Sequence, residues 1–355
     1  MSTVTPAKRG GRKRARLLSG PGGSILRVVS SVIITFFGLL LVTFLIGRIL
    51  PIDPVIAAVG DHASEAIYNR VREEMGLNLP LWKQFFVYVN NVLHGDFGKS
   101  ILTSQPVLND IARVFPATLE LATLGTIIGV ILGVPTGVLA AVHKGKWPDH
   151  LVRIFGLVGY SVPIFWLGLM GLLVFYMKLD WVAGPGRVDA FYADFIEPTT
   201  GLMLVDTLLD GDIDLFWNAV SHIILPASLL AYFSLAYIAR MTRSFMLEQL
   251  SQEYILAARV KGLSEFRIIW RHALGNVMVP LVTVIALSYA NLLEGSVLTE
   301  TIFAWPGLGL YITNSLLNAD MNAVLGGTVV VGAVFIGVNM LSDLLYRLLD
   351  PRARR

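Results

Sequence analysis

Six stretches of this chain contain no Asp, Glu, Lys or Arg: 28–47, 121–142, 154–177, 215–239, 273–293 and 321–342. An α-helix rises 1.5 Å per residue, so roughly 20 residues cross the ~30 Å hydrocarbon core, and a helix satisfies its own backbone hydrogen bonds where water is absent. The runs predict six membrane-crossing helices and leave no stretch large enough for a soluble domain. Composition agrees, since only 15% of the residues are charged against about 25% in soluble domains. With no cysteine, disulfides, thiolate metal sites and cysteine nucleophiles are excluded.

Orientation follows from the basic residues. Lys8, Arg9, Arg12, Lys13, Arg14, Arg16 and Arg27 crowd the start, Lys144, Lys146 and Arg153 share one loop, and Arg352, Arg354 and Arg355 close the chain. Placing all three groups inside puts both termini in the cytoplasm, consistent with the positive-inside rule. Residues 1–24 read as a disordered basic tail that fixes topology, with anionic lipid a more natural neighbour than nucleic acid. The remainder, 25–355, reads as one transmembrane domain. The first apolar run exceeds the 7–15 residues of a signal-peptide core, so it reads as a retained span.

Two outside segments are long, 48–115 and 178–214. In the first, Ile67, Val71 and Met75 recur at i, i+4, i+8, with Ser64 placed to cap a short amphipathic helix and Gly76 to end it. The second carries Gly184-Pro185-Gly186 and reads as an irregular loop. Pro135, Pro163, Pro226 and Pro280 predict kinks in four spans. Gly129, Gly133 and Gly137, four apart, predict close helix packing.

The segment 246–275 falls on the inside. There Tyr254, Ala257, Ala258 and Lys261 share one helical face, and Gly262 supplies a left-handed cap. A second short helix is predicted from Ser264 as N-cap to Gly275, with Phe266, Ile269, Trp270 and Ala273 as its apolar stripe. Such a pair either receives mechanical work from a soluble partner or anchors at the interface through Trp270 and snorkelling arginines.

Other patterns fail on spacing. Gly98-Lys99-Ser100 imitates the end of a P-loop, but Leu93 stands where its first glycine belongs. Asp210, Asp212 and Asp214 imitate a calcium loop, but Leu215 and Ser221 occupy its glycine and glutamate positions. The histidines have no metal spacing, and no nucleophile elbow exists. Glu294 ends the fifth run, and an acid at membrane depth points to a water-filled path or a protein partner; Asn291 and Ser288, one or two turns earlier, join it as candidate path residues.

The segment from Glu253 to Gly262 resembles the EAA loop of binding-protein-dependent ABC permeases, in the version of the dipeptide and oligopeptide permease family. Further resemblances are Ile49–Pro54, Gly76–Pro80, Gly95–Ser100, Pro116–Glu120, Glu300–Gly309 and Leu349–Arg352. Leu256 stands at the family-wide glutamate position, as in peptide-type members. The resemblance implies an all-α membrane protein in the type I ABC importer permease fold, with six transmembrane helices, a cytoplasmic coupling helix and a periplasmic loop region. It also implies a multi-pass location in the bacterial inner membrane. By the same resemblance Glu253, Tyr254, Ala257, Ala258, Lys261, Gly262 and Leu263 would meet an ATPase. The implied partners are a second homologous permease, two cytoplasmic ATPases that use ATP and Mg, a periplasmic binding protein and a peptide; this chain would bind no cofactor and catalyse nothing itself. A self-sufficient secondary transporter or channel is the rival, as is an ABC permease for nickel, glutathione, an opine or a sugar.

Overall fold

The computed structural model describes residues 21–49, 54–60, 62–193 and 199–349. The tail through residue 20, most of Ile49–Pro54 and all but the first residue of Leu349–Arg352 lie outside the described residues. In chain order the main helices are α1 (Pro21–Ile49), α2 (Glu65–Glu74), α3 (Leu81–Leu93), α4 (Val107–Val142), α5 (Trp147–Ser161) and α6 (Ile164–Lys178). Next come α7 (Ile213–Leu250), α8 (Glu253–Val260), α9 (Glu265–Ile302), α10 (Leu308–Leu317) and α11 (Met321–Leu349).

Five of these, α1, α4, α7, α9 and α11, are each long and apolar enough to cross a membrane. α5 and α6 are together apolar enough for a sixth crossing if they count as one broken span, but their axes differ by 98°, so the run 154–177 is not one continuous helix. Pro163 causes the break: Val162 takes the extended conformation (ψ 127°) that a residue before proline prefers, and α6 restarts after the ring. The helices run well past the uncharged stretches that flag them in the sequence. α4 begins at Val107 and continues through Asp110, Arg113, Pro116 and Glu120, because hydrogen bonding along a helix does not stop where charge begins.

A spine of α4, α7 and α9 holds the bundle. Along α4 the glycine spacing extends one step beyond the predicted three, to Gly125, and the stripe lies directly on α7. A Cβ on Gly129 would sit 2.5 Å from Ser234 Oγ, and one on Gly137 2.6 Å from the Ala239 carbonyl oxygen. Two apolar clusters stack along this spine. One joins Val138, Ile238, Met246, Val277 and Leu281, and the other joins Leu121, Ala227, Leu230, Leu292 and Trp305.

Ser64 caps α2, its Oγ accepting from the Ile67 N–H, and Gly76 follows the helix at φ +66°. No residue of α2 is buried; of its apolar stripe Val71 is half-buried, while Ile67 and Met75 are exposed. The sequence reading overlooked α3, which buries Phe85 and Val92 against Leu40 and Phe44 of α1. Tyr88 and Thr43 join the same two helices through hydroxyls 3.0 Å apart.

Candidate functional site

The segment between α7 and the span of α9 folds as two helices around Gly262. That residue takes φ +76°, and nothing lies within 4 Å of where its Cβ would be. Lys261 N–H donates to the Ala257 carbonyl (3.1 Å) and Leu263 N–H to the Ala258 carbonyl (3.2 Å), so the left-handed glycine closes α8 as predicted. Across the turn Arg259 makes two hydrogen bonds to Glu265, at 2.7 and 3.2 Å. The carboxylate beside it raises the Arg259 guanidinium above its usual value. Tyr254 donates its hydroxyl to Gln249 Oε1 at 2.9 Å.

Three details of the predicted helix pair are corrected. The second helix does not stop at Gly275; it runs unbroken to Ile302, and Gly275 lacks the positive φ that would end it. Ser264 has the extended backbone of an N-cap, yet its hydroxyl makes no capping bond. The apolar stripe is also out of phase. Residues Ile268–Ala273 form a π-helical turn, whose i to i+5 repeat brings Ile268 and Ala273 together, both fully buried. Phe266, expected inside, is left 73% exposed, while Ile269 and Trp270 are half-buried.

Of the candidate coupling residues, Glu253, Tyr254, Ala257, Lys261 and Gly262 are exposed, Leu263 is half-buried, and Ala258 turns inward with Ile255. The residues sharing one predicted face are thus divided between solvent and bundle. Leu256, Val260 and Phe266 are the large apolar side chains most exposed at the tip. Ile255, Ala258 and Ile268 tie the tip into the cluster that contains Met246, Val277 and Leu281.

The three path candidates are not brought together. Ser288 is buried against α7, its Oγ 3.1 Å from Ser234 Oγ, whereas Asn291 and Glu294 are exposed. At 100° per residue Ser288 and Glu294 point about 120° apart on α9. Glu294 edges a cavity of about 150 Å³ with Phe115, Val297, Ile312 and Thr328.

Sequence reasoning quoted Pro116–Glu120 and Glu300–Gly309 as separate motifs; the structure clasps them together. Glu300 is completely buried. Its Oε1 accepts from Thr118 Oγ1 (2.7 Å) and Ser296 Oγ (2.9 Å), and its Oε2 from the Leu310 N–H (3.0 Å). Thr118 Oγ1 accepts in turn from the Leu308 N–H at 2.8 Å, and Trp305 Nε1 donates to the Ala117 carbonyl at 2.9 Å. The chain passes so close that a Cβ on Gly307 would sit 2.5 Å from Glu300 Oε2. Next to this clasp Glu120 accepts from Arg187 (2.5 Å) and the Leu204 N–H (2.7 Å), and the Arg187 guanidinium lies over the Trp305 ring. The 178–214 loop is thereby tied to the bundle.

A second junction fixes the Gly95–Ser100 motif. Asp320 is fully buried at the start of α11 and accepts from Ser100 Oγ (2.5 Å) and the Ile101 N–H (2.8 Å). Asp212, the centre of the failed calcium pattern, caps α7 by accepting from the Leu215 N–H. Glu300 and Glu120 stand in the sequence only as motif letters and Asp320 in no motif at all, since periodicity does not reveal which distant segments meet.

Comparison with known proteins places these junctions in context. Residues 133–355 match the family described as binding-protein-dependent transport system inner membrane component, and residues 24–122 match its N-terminal counterpart. The chain is 45% identical to the probable D,D-dipeptide transport system permease protein DdpB of Escherichia coli K12, covering 90% of this chain and 93% of that one. It is 44% identical to the dipeptide transport system permease protein DppB of the same strain, over 93% and 98%. It is 42% identical to the di/tripeptide transport system permease protein DppB of Pseudomonas aeruginosa, over 93% and 98%. Among solved structures, an inward-facing form of the MetNI methionine ABC transporter aligns with TM-score 0.51 at 18% identity, covering 70% of this chain and all of that one. At that identity the likeness bears on the fold alone, which is that of an ABC importer permease.

Proposed function

This chain belongs to the family of binding-protein-dependent transport system inner membrane components, and from that premise we propose that it moves di- or oligopeptides from periplasm to cytoplasm by alternating access. It is a multi-pass inner-membrane permease subunit, not itself an enzyme, and the family works with ATPase and substrate-binding partners. The single observation that carries the peptide reading is the identity above 40% to three peptide permeases over nearly their full length. The finer arrangement we propose is one similar permease beside this one and two ATPases that use ATP and Mg, with both termini of this chain in the cytoplasm.

The geometry supports a mechanical role for the tip. Leu256, Val260 and Phe266 would seat in an ATPase cleft, with Glu253, Tyr254, Ala257, Lys261 and Gly262 around them. Because Ile255 and Ala258 are held in the cluster shared by α4, α7 and α9, displacement of the tip passes to three spans at once instead of bending a loose loop. A close-packed interior transmits such a push with little compression. Asn291 and Glu294 remain candidates for the path, Glu294 as a partner for a peptide ammonium or for a basic residue of the second permease. Ser288, facing α7, would act through helix packing.

Co-purification of tagged chain from its native membrane tests the proposal. Wild type is expected to bring down a second permease and two ATPases, and Gly262→Trp, which obstructs the turn, to lose the ATPases selectively. Recovery of the wild-type chain alone, with peptide uptake needing no ATP, would favour a self-sufficient transporter.

A further inference from the structure

The first turn of α5 is clamped to α7. Arg243 makes two hydrogen bonds to Asp149, at 2.6 and 2.8 Å, and the Gly145 N–H donates to the same carboxylate at 2.9 Å. Beside this clamp, between α5 and α7, runs a groove of about 610 Å³. Arg153, Arg240 and Arg243 line it together with the apolar Ile154, Leu157 and Ala236. Leu157 lies one helical turn beyond Arg153 along α5, and Ala236 one turn before Arg240 along α7. Both apolar walls therefore extend from the charged end in one direction, toward mid-membrane.

Asp149 is hydrogen-bonded to Arg243, and the Arg240 guanidinium lies over the Tyr237 ring. Arg153 has no hydrogen bond or ion pair among the described residues. A groove cationic at one end and apolar at the other has the chemistry of an amphiphile's complement, not of a free anion's. We propose that it holds an anionic phospholipid of the inner leaflet, with the phosphate among the three arginines and an acyl chain along Ile154, Leu157 and Ala236. Basic pockets between spans on the cytoplasmic side, where the leaflet is negative, recognise such headgroups. The inference rests on the cytoplasmic orientation proposed above.

The test uses the whole importer with its partner subunits, in nanodiscs of phosphatidylcholine alone or with phosphatidylglycerol as the minor component. Bound lipid is identified by native mass spectrometry for wild type, Arg153→Gln with Arg240→Gln, and Arg153→Lys with Arg240→Lys. Wild type and the lysine pair are expected to retain phosphatidylglycerol preferentially, and the glutamine pair to lose about thirty-fold of that preference. The wild-type arm needs no variant to fold: no preference for phosphatidylglycerol there overturns the proposal. So does an unchanged preference in a glutamine pair that recovers its partners normally, as when the second permease covers the groove. Displacement of the lipid by added inorganic phosphate would overturn the assignment to a lipid. Lys144→Cys in this cysteine-free chain, probed with an impermeant maleimide, separates the two readings. Labelling from the cytoplasmic side with no lipid preference refutes the lipid site alone, and labelling from the outer side refutes the orientation.

Discussion

Replacing Glu300 with alanine should loosen the clasp between α4 and the segment that follows α9, and the size of the effect can be worked from its bonds. Three donors reach the carboxylate: the Thr118 and Ser296 hydroxyls and the Leu310 N–H. Ser296 already has an alternative acceptor in the Leu293 carbonyl at 3.1 Å. The Thr118 hydroxyl and the Leu310 N–H are left stranded. At about 1–3 kcal/mol for each buried unsatisfied donor, the loss is ~2–6 kcal/mol. At roughly 2 °C per kcal/mol for a large domain, that lowers the melting temperature by ~4–12 °C. Glu300→Gln should lose less, because its carbonyl can keep the Leu310 N–H while the amide donates to the two hydroxyls. Thermal unfolding of purified protein in one detergent, with alanine and glutamine compared to wild type, is the assay. An alanine variant that melts with wild type, or a glutamine variant less stable than alanine, would refute the account of Glu300 as the acceptor that organises this junction.

Gly129→Ala places a methyl group 2.5 Å from Ser234 Oγ and should cost about 1–3 kcal/mol by overpacking, while Gly38→Ala, with nothing within 4 Å of the new carbon, should leave thermal unfolding unchanged. Arg187→Met strands the buried Glu120 carboxylate and should destabilise by about 3–5 kcal/mol; adding Glu120→Gln should recover much of that, and a double variant no better than the single one would argue against an ion pair at this position.

How much of this was legible in the sequence depends on distance along the chain. The left-handed turn at Gly262, the cap at Ser64 and the glycine stripe on α4 were readable because each depends on residues within a few positions of one another. The bundle's helices were readable for the same reason, although their ends were not, since α4 carries Asp110, Arg113 and Glu120 inside the helix. Phe266 was misplaced because a constant 3.6-residue period was assumed across a turn that repeats every five residues. The Glu300–Thr118 and Asp320–Ser100 contacts span most of the chain, and no local pattern encodes them. Ser288 was grouped with Glu294 by proximity in sequence, but helical phase points it at Ser234 instead.

The wide turn at Ile268–Ala273 acts as a phase joint. In an uninterrupted α-helix, whichever residues face outward at the tip are fixed by those that face inward in the span, so changing the docking surface would mean repacking the membrane core. The extra residue in the turn offsets that phase by a fixed step, so Phe266 can face outward while Val277 and Leu281 stay in the core. Leu256 and Val260 stand on α8, beyond the Gly262 turn, and their direction is set there, so the outward face of the tip is chosen by two short joints and not by the membrane core.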